Sequence, residues 1–373
     1  MPQAQAPKRD ATWDIARGIG MALVIYGHLL EPMYPAHNGR PVVEAAADQW
    51  QVIYSFHMML FFLVSGAVNR SLPKKAWPDV LRGSLRLLAL AWVVHIIGAF
   101  VNIGLQPELR SSFGAATWSI VDPILEGYKW SVGVLWFLTS LCFVQILAYL
   151  SLRRFPAVAV LIVAMAATAI TNYLPEQYMM KTWAPGLAFF TIGYLFSQWQ
   201  VRWPFWAAIP LIAATLLLAP LNHGCTFSFA QTCGNLQYGP FGVQIFAGNY
   251  GFLPLFFLSS LVGSLAVVCL SAGFARLSAS DLLAYAGRKS LELFFINGFV
   301  ATFLRDYFWQ VEWPHLTVFH YVGLFVGIVG AHLLALQILG PVLAWINAAG
   351  SAIAGFLAGI LTGGAGEGRP KAL

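Results

Sequence analysis

The sequence predicts an all-α fold, a polytopic bundle of transmembrane helices with about ten spans. Of its 373 residues, 59% are hydrophobic and only 10% are charged, whereas soluble globular domains carry about 25% charged residues. Its apolar runs approach the roughly 20 residues that a helix needs to cross the hydrocarbon core. Tryptophans such as Trp50, Trp130, Trp183 and Trp203 lie near the ends of these runs, as is typical of the membrane interface. We therefore expect an integral membrane protein.

Ten apolar runs are predicted as spans. In chain order they cover 15–33, 52–69, 85–102, 132–150, 157–173, 184–199, 205–221, 252–270, 289–306 and 318–345. The first run follows a polar segment and lacks a small-residue cleavage site, which predicts an uncleaved span and not a signal peptide. The later run "SAIAGFLAGILTG" is short and rich in small residues, which favours an interfacial or tail helix over an eleventh span. The predicted organisation is a cytoplasmic tail over 1–14, a membrane domain over 15–346 and a C-terminal tail over 347–373 that carries this helix.

The distribution of basic residues predicts the orientation. With the N-terminus in the cytoplasm and ten spans, sixteen of the 21 Lys and Arg residues fall on the inner side and five on the outer side. The inner set is Lys8, Arg9, Arg17, Arg70, Lys74, Lys75, Arg82, Arg86, Arg153, Arg154, Arg202, Arg276, Arg288, Lys289, Arg369 and Lys371. The outer set is Arg40, Arg110, Lys129, Lys181 and Arg305. Because basic loops stay in the cytoplasm, both termini are predicted to be cytoplasmic. The basic residues on the cytoplasmic side then explain the net charge of +6, and no nucleic-acid partner is expected.

Two long outer loops, 103–131 and 222–251, are rich in glycine, aromatic and polar residues. They could form a cap or an acceptor-binding face. The second loop contains Cys225 and Cys233, for which a local disulfide and two free thiols are equally open, since spacing does not determine geometry. Cys142 and Cys269 lie in apolar runs and are predicted to be inert packing residues.

Four ionisable residues mark the first predicted span, namely Asp14, Arg17, His28 and Glu31. Arg17 and His28 differ by eleven helical steps, which returns them to within about 20° of one face with a rise of about 16 Å. Glu31 shares this face and is predicted to orient or pair with the imidazole. Ionisable groups inside a span are costly and indicate function by default. The alternatives are an interfacial anchor for Arg17 and a hydrogen-bonded core histidine for His28.

The second predicted span begins near His57, at about the depth of His28 in its antiparallel neighbour. His57 is predicted to be either an interfacial histidine or a second site residue that binds the acceptor or stabilises an oxyanion. Ser65 and Gly66 lie near the inner end of the same span. A break there would let the backbone approach a donor.

Arg82 and Arg86 lie four residues apart and therefore on one helix face at the inner boundary. Paired guanidinium groups suit phosphate, although the positive-inside bias alone also explains them. The mid-span His95 and His332 are predicted to be satisfied core groups. Glu292 is predicted to form a structural ion pair with Arg288 or Lys289. No cluster has convincing metal-ligand spacing, so no metal is expected.

Six segments resemble the membrane-bound acyltransferase family 3 in the same order. "DIARGIGMALVIYGH" carries the R-(ten residues)-H pair and looks closest to the fucose 4-O-acetylase-like branch. The others are "YSFHMMLFFLVSG" (54–66), "LRGSLRLL" (81–88), "GVLWFLTSL" (133–141), "LAFFTIGYLF" (187–196) and "GRKSLELFFIN" (287–297). The last segment often ends in His in the family, where this chain has Asn297. The resemblance covers about residues 10–345.

The resemblance implies O-acylation of an extracytoplasmic acceptor, usually a glycan, by cytoplasmic acyl-CoA, with acetyl as the expected acyl group. The expected location is the bacterial cytoplasmic (inner) membrane, and the expected partners are the acyl-CoA co-substrate, the glycan and the lipid bilayer. No permanently bound cofactor is expected. The Arg–His pair is implied to be essential, with the histidine in catalysis. The predicted catalytic residues are His28, Arg17, Glu31 and His57, and the predicted donor-binding residues are Arg17, Arg82, Arg86, Ser65 and Gly66.

A hydroxyl is a weak nucleophile, so its acylation needs a general base whose pKa lies near the operating pH. Imidazole meets this requirement with an ordinary pKa of about 6.5, and we predict that His28 is the base. A covalent acyl-histidine is the alternative route. The competing class of protein is a proton-coupled transporter of a glycan or lipid precursor. The sequence shows no repeated halves, and its charges concentrate in the first three spans, which favours the enzyme. A receptor or scaffold would leave the shared face of Arg17 and His28 unexplained.

Overall fold

The computed structural model describes residues 10–33, 44–201, 203–222, 243–277, 280–303 and 316–363. Within these ranges the regular structure is helical, apart from an isolated bridge between Gln244 and Asn249, so the all-α prediction is confirmed. The helices are α1 Ala11–Leu30, α2 Glu44–Tyr54, α3 His57–Val68, α4 Trp77–Leu105, α5 Pro107–Ser111, α6 Phe113–Glu126, α7 Trp136–Leu152, α8 Ala157–Thr168, α9 Trp183–Gln198, α10 Ala208–Leu218, α11 Leu253–Phe274, α12 Asp281–Arg288, α13 Ser290–Phe303, α14 Val318–Ile338 and α15 Gly340–Leu361.

Six helical segments in the described part of the chain are long and apolar enough to cross a membrane, which confirms the polytopic bundle. They are Ala45–Val68, Trp77–Leu105, Gly133–Leu152, Leu253–Phe274, Val318–Ile338 and Gly340–Leu361. Other predicted spans correspond to shorter apolar helices, such as Ala157–Thr168 and Ser290–Phe303. The total of ten spans and the side of each terminus stay predictions.

The predicted last span, 318–345, is two helices in the structure. α14 ends at Ile338, and α15 begins at Gly340 with Pro341 in its first turn. Proline lacks a backbone N–H and clashes with the preceding turn, so it starts a helix more readily than it continues one. The predicted boundary at residue 346 therefore falls inside α15, a 22-residue helix that packs against α4. The expected short tail helix is the second half of this longer element.

Helix α1 lies at the centre of the bundle, although it carries the charged residues that a lipid-facing helix avoids. It packs against α2, α3, α11, α12, α13 and α14. Its side chains Ile15, Ala16 and Leu30 have no exposed surface. By contrast, α14 and α15 are the least buried of the six long apolar segments. The ionisable side chains of α1 thus lie among protein groups, where polar partners are available.

Two helix pairs approach each other closely through glycine. A Cβ atom on Gly66 of α3 would overlap the carbonyl oxygen of Phe190 in α9, and one on Gly193 of α9 would overlap that of Leu63 in α3. Likewise, a Cβ on Gly287 of α12 would overlap the backbone of α1. Small residues at such crossings let membrane helices pack backbone to backbone. These contacts fix α3 and α12 against their neighbours.

A break at Ser55 and Phe56 separates α2 from α3. The Ser55 carbonyl accepts a hydrogen bond of 2.5 Å from the Ser260 hydroxyl of α11, which replaces the helical bond lost at the break. The predicted break at Ser65 and Gly66 is wrong, because α3 runs without interruption from His57 to Val68. The real break places His57 at the start of α3.

Candidate active site

A cavity of about 250 Å³ lies beside the C-terminal end of α1. Its wall includes His28 of α1, Glu31 of the following turn, Trp50 and Tyr54 of α2, and His57 of α3. Side chains from 133–136, 243–246 and α13 complete the wall. Three of the four predicted catalytic residues therefore share one cavity.

His28 and Glu31 form a hydrogen-bonded pair at the cavity wall. The Nδ1 atom of His28 lies 3.1 Å from Oε2 of Glu31, and the side chains are 22% and 35% exposed. An ionised carboxylate only accepts hydrogen bonds, so Nδ1 donates and Nε2 retains its lone pair. The structure shows no partner for Nε2 within the ranges that it describes. This is the tautomer that a histidine base requires, and the carboxylate stabilises the positive charge that the ring gains with a proton.

Tyr54 is a site residue that the sequence reasoning missed. Its hydroxyl oxygen lies 3.4 Å from His28 Nδ1, and its side chain lines the same cavity as Glu31 and Trp50. The phenol ring is stacked on Trp50 with centroids 4.1 Å apart and lies 4.6 Å from the His57 ring. The sequence contained a pattern that could have identified Tyr54, because positions 50, 54 and 57 fall on one face of a helix. Trp50 is buried against Tyr54 in the cavity wall, and its position at the membrane interface stays a prediction.

His57 presents a hydrogen-bond acceptor to the cavity. Its Nδ1 atom lies 2.9 Å from the Ile53 carbonyl oxygen. A carbonyl oxygen can only accept, so Nδ1 donates this hydrogen bond and Nε2 carries the lone pair. The ring is buried, and the Tyr54 ring lies 4.6 Å from it and 6.2 Å from the His28 ring between centroids. A neutral His57 can therefore accept a hydrogen bond from a hydroxyl but cannot donate one to an oxyanion. The geometry favours the first of the two predicted roles.

Part of the predicted outer loop 222–251 covers the cavity. Residues 243–246 line it, and the Gln244–Asn249 bridge holds the turn. The Tyr250 hydroxyl donates to the Lys181 carbonyl oxygen at 2.5 Å, and burial raises the pKa of Tyr250 so that the phenol keeps its proton. Cys225 and Cys233 lie outside the described residues. The other long loop, 103–131, forms α5 and α6 and lines a separate cleft that contains Asp122 and Lys129.

Arg17 lies on the same unbroken helix as His28 but not in the cavity. Eleven residues of α-helix separate the two Cα positions by about 16 Å, as the spacing predicted. The guanidinium Nη1 lies 3.7 Å from the carboxylate of the buried Asp14, and the Arg17 side chain is 24% exposed. Arg17 is therefore remote from His28, and its predicted roles in catalysis and donor binding stay predictions.

Arg82 and Arg86 are exposed on α4, whose main neighbours are α7 and α15. Arg86 donates a hydrogen bond of 3.1 Å to the Asn347 side chain of α15. Arg17 lies on α1, whose main neighbours are α12, α11 and α3. Helix packing therefore does not group the three arginines as a single cluster.

Gly66 lies against the carbonyl of Phe190, which occupies the space that a side chain would take, and a donor-binding role for Gly66 stays a prediction. Its lack of a side chain serves helix packing. Ser65 is half-buried, and its carbonyl accepts a hydrogen bond of 2.9 Å from Asn69. A donor-binding role for Ser65 stays a prediction.

The two mid-span histidines differ in their surroundings. His95 is a satisfied core group, as predicted: the Ser131 N–H donates to its Nδ1 at 3.1 Å, and its Nε2 donates to the Ile120 carbonyl at 3.1 Å. For His332 the prediction is half wrong. Its Nδ1 donates to the Ile328 carbonyl at 2.8 Å, but its buried Nε2 has no hydrogen-bond partner among the described residues.

Other polar and sulfur groups match their predicted structural roles. Lys289 and Glu292 form an ion pair of 3.0 Å, as predicted. Cys142 and Cys269 are buried free thiols. Within the described ranges, no group of three or more His, Cys, Asp or Glu side chains is arranged to hold a metal ion.

Comparison with known proteins gives the family. The family model described as an acyltransferase domain matches residues 10–363. This chain belongs to acyltransferase family 3. The matched range confirms the resemblance seen in the sequence, and it extends past residue 346 to include all of α15. The fucose 4-O-acetylase-like branch stays a prediction.

One relative of this family 3 protein is nodulation protein NolL of Mesorhizobium japonicum, which is 27% identical over 229 residues. The aligned part is 58% of this chain and 57% of NolL, so the chain spans little more than half of that relative. No solved structure matches. Family membership and the apolar helices together indicate a membrane protein of the acyltransferase family.

Proposed function

We propose that this family 3 protein is an integral membrane O-acyltransferase of the bacterial cytoplasmic (inner) membrane. It transfers an acyl group, which we propose to be acetyl, from cytoplasmic acyl-CoA to a hydroxyl of an extracytoplasmic glycan. The observation that carries this proposal is the His28–Glu31 pair at the cavity wall. In this pair, Nδ1 of His28 is hydrogen-bonded to the Glu31 carboxylate, and Nε2 keeps its lone pair.

The proposed reaction is a direct transfer with His28 as general base. Nε2 of His28 takes the proton of the acceptor hydroxyl while the oxygen attacks the thioester carbonyl carbon. The C–O bond forms, the C–S bond breaks, and the thiolate of coenzyme A receives the proton. Glu31 holds the ring through Nδ1 and stabilises the imidazolium. Asp14, which lies beside Arg17, is proposed to position that guanidinium.

A glycan acceptor suits the hydrogen-bonding character of the cavity. His28 and His57 both present Nε2 lone pairs, which accept hydrogen bonds from hydroxyl groups. Trp136 and Phe246 also line the cavity, with their rings 6.2 Å apart. Aromatic walls with a few convergent polar groups are typical of small-molecule sites. A polyhydroxyl ligand supplies O–H donors for these two lone pairs.

The donor phosphates are proposed to bind basic side chains at the other end of α1 or on α4, and Ser65 is proposed as a further donor-binding residue. Replacing both Arg82 and Arg86 with glutamine is expected to raise the KM for acetyl-CoA about tenfold, the equivalent of about 1.4 kcal/mol of binding. Arg86 has five N–H donors, so its bond to Asn347 leaves others for phosphate. The measurement is the initial rate against acetyl-CoA concentration. The control is Arg110→Gln, an exposed arginine of α5. An unchanged KM for acetyl-CoA in the double variant would contradict the binding of donor phosphates by Arg82 and Arg86.

Replacing Glu31 with glutamine is expected to lower kcat about 10- to 100-fold, as loss of an orienting partner commonly does. The amide oxygen can still accept from His28 Nδ1, but the charge that stabilises the imidazolium is lost. The measurement is kcat and acceptor KM under saturating donor. Glu126→Gln is the matched control, because Glu126 also forms an i,i+3 pair, with Lys129 at 3.8 Å, away from the cavity. Equal rates in both variants would contradict the role of Glu31.

The proposed function is tested with purified protein in nanodiscs, labelled acetyl-CoA and a panel of cell-surface glycans. We expect acceptor-dependent thioester loss and label on a glycan oxygen. The transporter hypothesis makes a different prediction for proteoliposomes, in which an unmodified glycan or lipid precursor would cross the bilayer without thioester loss. That result would overturn the acyltransferase mechanism proposed for this chain.

A further inference from the structure

His332 of α14 is a buried imidazole with one satisfied and one unsatisfied nitrogen. Only 2% of its surface is exposed. Its Nδ1 lies 2.8 Å from the carbonyl oxygen of Ile328, so Nδ1 carries the proton. Nε2 is therefore an acceptor, and it has no hydrogen-bond partner among the residues described. Buried polar atoms in native proteins are nearly always paired, with protein, water or ligand. The free Nε2 thus indicates a missing O–H or N–H donor.

The surroundings of His332 connect it to the candidate active site. Helix α14 packs against α1 and α13, and Ile328, whose carbonyl binds His332, packs against the cluster that contains Leu29 and Leu30 of α1, next to His28. On α13, the side chain of Asn297 is 1% exposed, and its Nδ2 also has no partner in the described part of the chain. An unpaired acceptor and an unpaired donor therefore lie on two adjacent helices, both packed against the helix of His28.

We propose that Nε2 of His332 accepts a hydrogen bond from an O–H group held beside His28, and that His332 is a positioning residue for the nucleophile. The O–H group belongs either to a water molecule or to a second hydroxyl of the acceptor. His332 takes no part in bond making and receives no proton. By holding a neighbouring O–H, it fixes the hydroxyl that donates to His28. This inference rests on the proposed acyl transfer.

Two substitutions separate this role from simple packing. In His332→Asn, the amide nitrogen occupies the place of Nδ1 and keeps the bond to Ile328, but nothing occupies the place of Nε2. In His332→Gln, the amide oxygen can reach the place of Nε2 and keeps an acceptor there. We expect His332→Asn to lower catalysis about 10- to 100-fold, and His332→Gln to recover part of this loss, with both variants melting close to the wild-type temperature.

The matched control is His95→Asn, because His95 is also a buried mid-span histidine but has both nitrogens bonded. We expect that variant to lower the melting temperature more than the rate. A fall in kcat with unchanged acceptor KM in His332→Asn identifies a bound water, whereas a raised acceptor KM identifies an acceptor hydroxyl. Wild-type kcat and KM in His332→Asn would overturn the inference. So would equal losses in both His332 variants with lowered melting temperatures, since these mark a packing role.

A second measurement does not depend on activity. An experimental map of the wild-type protein in nanodiscs, at a resolution that shows water, is expected to contain an oxygen atom within about 3.2 Å of His332 Nε2. A map with no oxygen atom within hydrogen-bonding distance of Nε2 would overturn the inference, even if the enzyme were active. If the wild-type protein consumes no thioester but the oxygen is present, the proposed function fails and the binding of an O–H group at His332 stands.

Discussion

Replacing His28 with glutamine is expected to lower kcat for acyl transfer by about 10³-fold, within the range for loss of a general base. Glutamine keeps the approximate size and polarity of the side chain but cannot take up a proton. The KM for acetyl-CoA should change little, because the donor phosphates are proposed to bind near Arg17, about 16 Å away along α1. The measurement is release of coenzyme A at saturating donor and acceptor, with the melting temperature as a check on folding.

The matched control for His28 is His320→Gln. His320 is exposed at the start of α14, where it pairs with Thr317. We expect its replacement to leave kcat unchanged. Retention of near wild-type kcat by the folded His28 variant would contradict the base mechanism. Rapid-quench trapping of an acyl group on the wild-type enzyme, without acceptor, would instead show that transfer passes through a covalent intermediate.

Replacing Gly66 with alanine is expected to lower the free energy of unfolding by about 3 kcal/mol, at the upper end of overpacking costs. The added Cβ would overlap the carbonyl oxygen of Phe190. A backbone atom cannot rotate away as a side chain can, so α3 and α9 must separate. Because α3 begins with His57, the same shift would disturb the cavity wall. Unfolding in detergent, followed by helical circular dichroism, measures the effect.

Gly83→Ala provides the control for Gly66. Gly83 lies within α4, and no atom lies within 4 Å of the position that its Cβ would take. Alanine is favoured over glycine in a helix by about 1 kcal/mol, so this variant should be as stable as wild type or slightly more so. A stable Gly66→Ala variant with weakened acetyl-CoA binding would restore the donor-binding interpretation that the close packing argues against.

The candidate site was predictable from the sequence where it depends on one helix. Arg17, His28 and Glu31 follow one another within a single stretch, and helical geometry relates their positions without knowledge of any neighbour. The structure confirms a continuous α1 and the contact between His28 and Glu31. The expected depth of antiparallel spans also predicted that His57 lies at the level of His28, and both residues line the same cavity.

The sequence was ambiguous where a residue has more than one structural use. Glycine at position 66 suggested a break in the second span, but the structure uses it for the contact with α9, and the break occurs at Ser55 and Phe56. Trp50 suggested a membrane interface, and the structure shows in addition that its ring is buried beside Tyr54. Glycine serves hinges and close crossings alike, and tryptophan is common both at interfaces and in site walls. Composition alone does not distinguish these uses.

The sequence by itself determined that this is a helical membrane protein with an ionisable first helix, because hydropathy and the 3.6-residue period are local properties of the chain. Only the tertiary structure decided which helix faces meet. His95 and His332 show the difference, since both are single histidines in long apolar runs. His95 is satisfied on both nitrogens by residues after α4, whereas Nε2 of His332 has no hydrogen-bond partner in the described part of the chain. Their partners lie on other elements, and only helix packing brings those elements to them.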